Sequence, residues 1–142
     1  MHFHLALFYV CACFVAINAD IKLYFSSLDK VTFSEAVKLC KEVNREVIRV
    51  ENSDVNDDVI GTLITISPGP QYWVGATKNS TSGDWEWYET GEKLTYFAWG
   101  NNEPVKKDNA DCIKIDMKAY TNGRTWGAVD CNEKRYALCQ MN

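Results

Sequence analysis

The cysteine pattern constrains this 142-residue chain more than any other feature of its sequence. Two of the six cysteines, Cys11 and Cys13, lie in an N-terminal apolar run that we predict to be removed from the mature protein. The cysteines that remain are Cys40, Cys112, Cys131 and Cys139. An even number in a secreted chain indicates two disulfides, but four cysteines allow three pairings and the sequence alone does not choose among them. No thiol is left over for a covalent partner.

The apolar run covers residues 5–17, which suits the core of a signal peptide and is too short to span a bilayer. The small residue Ala19 precedes Asp20, where cleavage is expected. We therefore predict a signal peptide at residues 1–19, a mature domain at residues 20–142 and a secreted, extracellular protein. The residues before the run lack Lys and Arg, and the alternative is a buried strand or helix of the domain. No later segment has the length and apolar character of a membrane span.

The residue composition argues against several classes of function. Both histidines, His2 and His4, lie in the predicted signal peptide, so the mature chain has no imidazole for catalysis or metal binding. Paired cysteines supply neither a thiolate nucleophile nor a zinc site. The net charge is −4 and no basic cluster exceeds Lys106-Lys107, which argues against nucleic-acid binding. We predict that the protein is not an enzyme. A hydrolase using two carboxylates is the weaker alternative, and no pair of acids with defined geometry supports it.

Two helices followed by short strands predict an α+β fold. Thr32 and Glu35 form a capping box before a first helix, whose apolar stripe includes Cys40. Ser53 is expected to cap a second helix, which ends at the Ser-Pro-Gly-Pro of residues 67–70. Strands are expected at residues 21–25, 46–50, 72–76, 85–88, 112–116, 125–129 and 136–139.

The stretch from Trp99 to Cys112 is polar, irregular and rich in oxygen atoms that could bind a cation. Its carboxylates and side-chain amides are Glu103, Asp108, Asp111, Asn101, Asn102 and Asn109. Such a loop suits calcium, but an ordinary solvated loop has the same composition. A separate polar stretch, Asn79-Ser80-Thr81, is an N-glycosylation sequon, so we expect a glycan on Asn79.

Several short motifs follow one another in an order that resembles a known family. A helix containing Cys40 comes first, then Trp73-Val74-Gly75-Ala76, then Trp85-Glu86-Trp87 and Glu103-Pro104. The remaining members of the pattern are Cys112, Trp126, Cys131 and Cys139. The mature chain resembles the C-type lectin-like domain in its short, four-cysteine form. This resemblance implies two helices, antiparallel sheets and a long irregular loop region. It also implies the disulfides Cys40–Cys139 and Cys112–Cys131.

The resemblance further implies where calcium and sugar would bind. Sugar-binding members hold calcium through Glu-Pro-Asn in the long loop, a Glu two residues before the next cysteine, and a Trp-Asn-Asp on the following strand. This chain matches at Glu103 and Pro104, and it departs at Val105, Ala110, Gly127 and Ala128. Calcium takes about six to eight oxygens, so we expect no calcium at this position and no other cofactor. Because the prolyl bond is cis in calcium-bound members, we also expect Glu103–Pro104 to be less firmly cis here.

The long loop remains the expected ligand-binding surface. The residues predicted to contribute are Asn102, Glu103, Pro104, Lys106, Asp108 and Asn109. We predict a secreted recognition protein that binds carbohydrate or glycoprotein ligands without a complete calcium–sugar site. The resemblance implies a role in innate immunity or in its modulation. The alternative is a protein-binding inhibitor or modulator, because family members that have lost calcium ligands often bind protein surfaces.

Overall fold

The chain folds as two helices and short strands that form one sheet. The computed structural model describes residues 23–66, 69–119 and 122–141. The predicted signal peptide at residues 1–19 lies outside these ranges. Within them, no helix is long and apolar enough to cross a membrane.

The order of elements is that of an α+β fold. The helices are α1 (Phe33–Glu42) and α2 (Ser53–Ile66), with a 3₁₀ turn at Met117–Ala119. The strands are β1 (Tyr24–Val31), β2 (Glu46–Val47), β3 (Gln71–Lys78), β4 (Trp85–Trp87), β5 (Cys112–Asp116), β6 (Trp126–Val129) and β7 (Arg135–Gln140). The sheet has the order β1-β7-β3-β5-β6, with β2 also paired to β7 and β4 to β3. The predicted α+β fold is confirmed, but the sheet is mixed, because β3 and β7 run parallel.

Local side-chain bonds start both helices. At α1, Glu35 N donates to Thr32 Oγ1 at 3.3 Å and Thr32 N donates to Glu35 Oε2 at 2.9 Å, so the predicted capping box is present. At α2 the prediction is wrong by one residue. Asn52 is the cap, because its Oδ1 accepts from Val55 N at 2.9 Å, and Ser53 lies inside the helix.

Two strand predictions differ from the structure by three residues or more at one end, whereas the others differ by one or two residues at most. The first strand continues to Val31, because its second half pairs with β7 through Lys30–Tyr136 and Val31–Arg135. The strand expected at residues 46–50 is only Glu46–Val47, the part that pairs with β7. In both cases the partner strand determines the length, and that pairing is remote in sequence.

Two disulfides join elements that are distant along the chain. Cys40 of α1 bonds to Cys139 of β7, and Cys112 of β5 bonds to Cys131 after β6. Both bonds are those implied by the family resemblance. Cys40 and Cys139 are fully buried, in a cluster that also contains Trp73. The second bond, at the start of β5, lies at the end of the long loop.

Candidate functional site

The loop that leads from β4 to β5 is attached to the start of β6. Trp126 N donates to Ala98 O and Gly100 N donates to Trp126 O, each at 2.9 Å. Trp99 packs edge-on against the Trp126 ring, and Phe97 stacks on Trp99. Backbone pairing and aromatic contacts therefore place the following polar residues beside β6.

Glu103 connects this loop to β6. Its Oε2 accepts a hydrogen bond from Val105 N at 2.9 Å and another from Ala128 N at 3.1 Å. Two backbone donors on one carboxylate oxygen hold the side chain in place. The Glu103–Pro104 peptide bond is cis in this structure, and how firmly the cis form is preferred stays a prediction.

The positions that supply calcium ligands in sugar-binding relatives offer little oxygen here. Val105 is an exposed aliphatic side chain, whereas Ala110 and Ala128 are buried in the larger hydrophobic cluster. Gly127 has no side chain, and Oε2 of Glu103 already accepts hydrogen bonds from two backbone N–H groups. The described residues contain no group of three or more acidic, histidine or cysteine side chains placed to hold a metal. The donor set therefore does not fit a calcium ion at this position.

The other loop residues predicted to bind ligand are exposed to solvent. Asn102 and Asn109 have positive φ values of 60° and 66°, a conformation that Asn tolerates well, so both residues serve tight turns. Pro104, Lys106 and Asp108 are exposed to solvent. Glu103 is the one predicted residue that lines the cleft described below.

A polar cleft of about 320 Å³ lies between the loop, β5 and β6. Its lining residues are Gly100, Asn101, Glu103, Lys114, Asp116, Lys118, Ala119, Thr125, Trp126 and Gly127. The sequence-based prediction missed Lys114, Asp116 and Lys118. The signal that could have found the first two is the apolar–polar alternation of β5, which places Lys114 and Asp116 on one face. Their proximity to the loop depends on strand pairing.

Asp116 is the centre of a hydrogen-bond network in this cleft. Its Oδ2 accepts from Gln71 Nε2 at 2.8 Å and from Lys114 Nζ at 3.1 Å, and its Oδ1 accepts from Lys118 N at 3.0 Å. Burial by itself would raise the pKa of the Asp116 carboxyl. The three hydrogen bonds and the charge of Lys114 outweigh burial and hold the pKa below its ordinary value.

We expect Asp116→Asn to lower the free energy of unfolding by about 1–3 kcal/mol at neutral pH, because a charged acceptor of three hydrogen bonds is lost. A lowered folded-state pKa stabilises the fold above the unfolded pKa of about 4, and this stabilisation disappears as the pH falls through the folded pKa. Urea unfolding at a series of pH values measures the difference between the variant and the native protein. Asp108→Asn, at an exposed loop position, is the matched control. A difference that stayed constant down to strongly acidic pH would contradict this role of Asp116.

Gly127 lies opposite Lys114 in the β5–β6 pair. A Cβ atom at position 127 would lie 3.0 Å from Lys114 Cε and 3.1 Å from Glu103 Oε1. These distances are shorter than ordinary carbon contacts, so the lysine chain and the carboxylate share the space that a side chain would take. The absence of a side chain at Gly127 therefore brings Lys114 and Glu103 to the same side of β6.

Residues 29–141 match the family model of the Lectin C-type domain. The chain belongs to this family. The C-type lectin fold that the motif order predicted is thereby confirmed, with its two disulfides.

Among curated relatives, E-selectin of the horse, Equus caballus, is 31% identical over 118 residues, which are 82% of this chain and 19% of that protein. The C-type lectin mosGCTL-7 of Aedes aegypti is 23% identical over 139 residues, 94% of this chain and 93% of the relative. The chain thus spans about a fifth of the length of the selectins that it matches. These relatives are lectins rather than enzymes.

A solved structure described as an SPL-1–GlcNAc complex superposes on this C-type lectin domain with a TM-score of 0.71. It covers 84% of this chain and 87% of the matched chain, and the sequence identity is 21%. At that identity the likeness shows a shared fold.

Proposed function

We propose that this C-type lectin domain is secreted and recognises carbohydrate or glycoprotein ligands without a calcium ion at Glu103. The observation that carries the proposal is the hydrogen bonding of the Glu103 carboxylate. Its Oε2 accepts from Val105 N and Ala128 N, at two of the positions where sugar-binding relatives have calcium ligands. The loop keeps its attachment to β6 through these bonds, so a shaped surface is present without a metal to organise it.

Glycan recognition is supported by the family and by the chemistry of the cleft. The same fold was solved as a complex with GlcNAc in SPL-1. Carboxylate and ammonium groups line the cleft beside Glu103, and such groups exchange hydrogen bonds with sugar hydroxyls. A role in innate immune recognition or its modulation stays a prediction from the resemblance.

Secretion is part of the proposal, with a signal peptide at residues 1–19 and a mature domain at residues 20–142. The four disulfide-bonded cysteines of the fold support an oxidising compartment. Asn79 is the proposed glycosylation site, on a polar turn after β3. Its Oδ1 accepts from Thr81 N at 2.9 Å and Ser82 N at 3.1 Å. Expression in a eukaryotic cell line tests secretion. N-terminal sequencing of the secreted protein then tests cleavage after residue 19, and glycosidase treatment tests the glycan on Asn79.

A glycan array probed with and without EDTA tests the proposed function. We expect a subset of glycans to bind equally in both conditions, because the residues at the family's calcium positions leave no adequate ligand set. Binding that requires calcium would overturn the calcium-independent proposal. If the protein bound no glycan on the array, glycan recognition would be overturned and a protein-binding modulator would be favoured.

A further inference from the structure

Four asparagines in the described part of the chain adopt a left-handed backbone conformation. They are Asn44, Asn102, Asn109 and Asn122, which have φ values between 51° and 66° and are exposed to solvent. An exposed asparagine can lose its amide when the backbone nitrogen of the next residue attacks the side-chain carbonyl carbon. That attack needs a backbone N–H that is free of hydrogen bonds and a following residue that does not crowd the nitrogen. The four positions differ in both respects.

After three of these asparagines, the next backbone N–H already donates a hydrogen bond. The three bonds are Arg45 N to Cys40 O at 2.9 Å, Glu103 N to Gly100 O at 3.2 Å and Ala110 N to Lys107 O at 3.2 Å. A nitrogen in such a bond cannot attack the preceding side chain unless the bond breaks first. In addition, each of these three following residues carries a side chain that crowds its nitrogen. The fold therefore protects the asparagines at positions 44, 102 and 109.

Asn122 lacks this protection, because Gly123 follows it. None of the described residues accepts a hydrogen bond from Gly123 N, and glycine has no Cβ to crowd the nitrogen. We propose that Asn122 is a site of spontaneous deamidation, with water as the co-reactant, and that the product weakens the contact between this turn and α2. The reaction needs no enzyme, ligand or metal, so it does not depend on secretion or on glycan recognition.

The reaction has two steps. Gly123 N gives its proton to the solvent and bonds to Asn122 Cγ, the Cγ–Nδ2 bond breaks, and the amide nitrogen takes up a proton and leaves as ammonia. Water then opens the resulting five-membered imide ring. Hydrolysis at Cγ gives aspartate, whereas hydrolysis at the main-chain carbonyl gives isoaspartate, whose backbone runs through the former side chain. One water is consumed and one ammonia released, and a carboxylate replaces the neutral amide.

The turn at Asn122 and Gly123 contacts the first part of α2. Asn56, which is 2% exposed, donates a hydrogen bond from Nδ2 to Gly123 O at 2.8 Å. A Cβ atom at position 123 would lie 3.8 Å from Asp57 Oδ1, so this carboxylate is close to the turn. Isoaspartate adds one methylene to the main chain before Gly123 and moves its carbonyl relative to Asn56. The new carboxylate also repels Asp57, so α2 should be bound less firmly.

The test incubates the full mature protein at mildly alkaline pH and maps its peptides by mass spectrometry at successive times. We expect Asn122 to deamidate first, and an isoaspartyl methyltransferase to label position 122 increasingly with time. Asn122→Gly should stay unlabelled, since glycine tolerates the same positive φ and has no amide to lose. The matched control is Asn44→Gly, at an exposed position with a φ of 54°, which should be labelled as the native protein is.

The effect on the fold is measured on the purified product. Anion exchange separates the deamidated protein, because it carries one more negative charge than the native protein. Its Tm should be lower by about 3–6 °C, the shift that loss of one buried hydrogen bond gives in a domain of this size. Asn122→Gly, which keeps the bond from Asn56 to Gly123 O, should unfold close to the native temperature before and after the incubation.

Three results would overturn the inference. If Asn122 deamidated much more slowly in the native protein than in urea, the folded turn would be protecting Gly123 N, and the site would not exist. If Asn44, Asn102 or Asn109 deamidated earlier, hydrogen bonding of the next N–H would not determine which asparagine reacts. An unchanged Tm of the purified product would contradict the weakened contact with α2 alone.

Discussion

Replacing Cys40 and Cys139 together with alanine should lower the free energy of unfolding by about 3–5 kcal/mol. The bond closes a loop with a sequence separation of 99 residues, so its loss restores much conformational freedom to the unfolded chain. Both side chains are fully buried between α1 and β7, so the change also removes packed sulfur atoms from the core. Equilibrium denaturation in guanidinium, followed by tryptophan fluorescence, measures the difference.

The second disulfide provides the matched comparison. Cys112–Cys131 closes a separation of 19 residues, for which the chain-entropy model gives about 1.5 kcal/mol less stabilisation. The Cys112→Ala, Cys131→Ala pair should therefore destabilise the protein less than the first pair does. A larger effect of the short-loop bond would show that local strain or residual structure, rather than loop closure, determines the cost.

Restoring the calcium ligands of sugar-binding relatives should create a calcium response that the native protein lacks. The variant carries Val105→Asn, Ala110→Glu, Gly127→Asn and Ala128→Asp. Together with Glu103 these residues supply the missing oxygen ligands. At a calcium concentration about 100-fold above Kd, binding should stabilise the variant by about 2.7 kcal/mol. Thermal unfolding with calcium and with EDTA measures this, and the native protein should unfold at the same temperature in both.

The same variant should be less stable than the native protein in EDTA. Ala110 and Ala128 are buried, so new carboxylates there are partly desolvated and repel Glu103 when no cation is present. Asn at position 127 also forces Lys114 and Glu103 to move. The control is Glu103→Ala in the variant background, which should abolish the calcium response. A native protein that calcium stabilises as strongly as the variant would contradict the ligand assignment.

Local patterns were sufficient for the parts of the fold that local chemistry controls. The capping box of Thr32 and Glu35 predicts where α1 begins, because both hydrogen bonds join residues three positions apart. The same reasoning misplaced the α2 cap by one residue, since Asn52 and Ser53 are both good caps. Strand lengths were less predictable, because β1 and β2 extend only as far as β7 pairs with them.

The sequence by itself determined which residue types are available. It shows that imidazole is absent from the predicted mature chain, that four cysteines remain, and that the calcium positions hold Val105, Ala110, Gly127 and Ala128. Those conclusions need no coordinates, because a side chain that is absent from the sequence cannot act as a base, form a disulfide or bind a metal.

Only the tertiary structure decided how the remaining polar groups are used. Glu103 reaches Ala128 N across 25 residues, and Lys114 lies over Gly127 because β5 and β6 pair in that register. Asp116 meets Gln71 across 45 residues of chain. A one-residue shift in a strand register would turn these side chains to the opposite face. The cleft therefore depends on long-range pairing, which the residue order along one loop does not reveal.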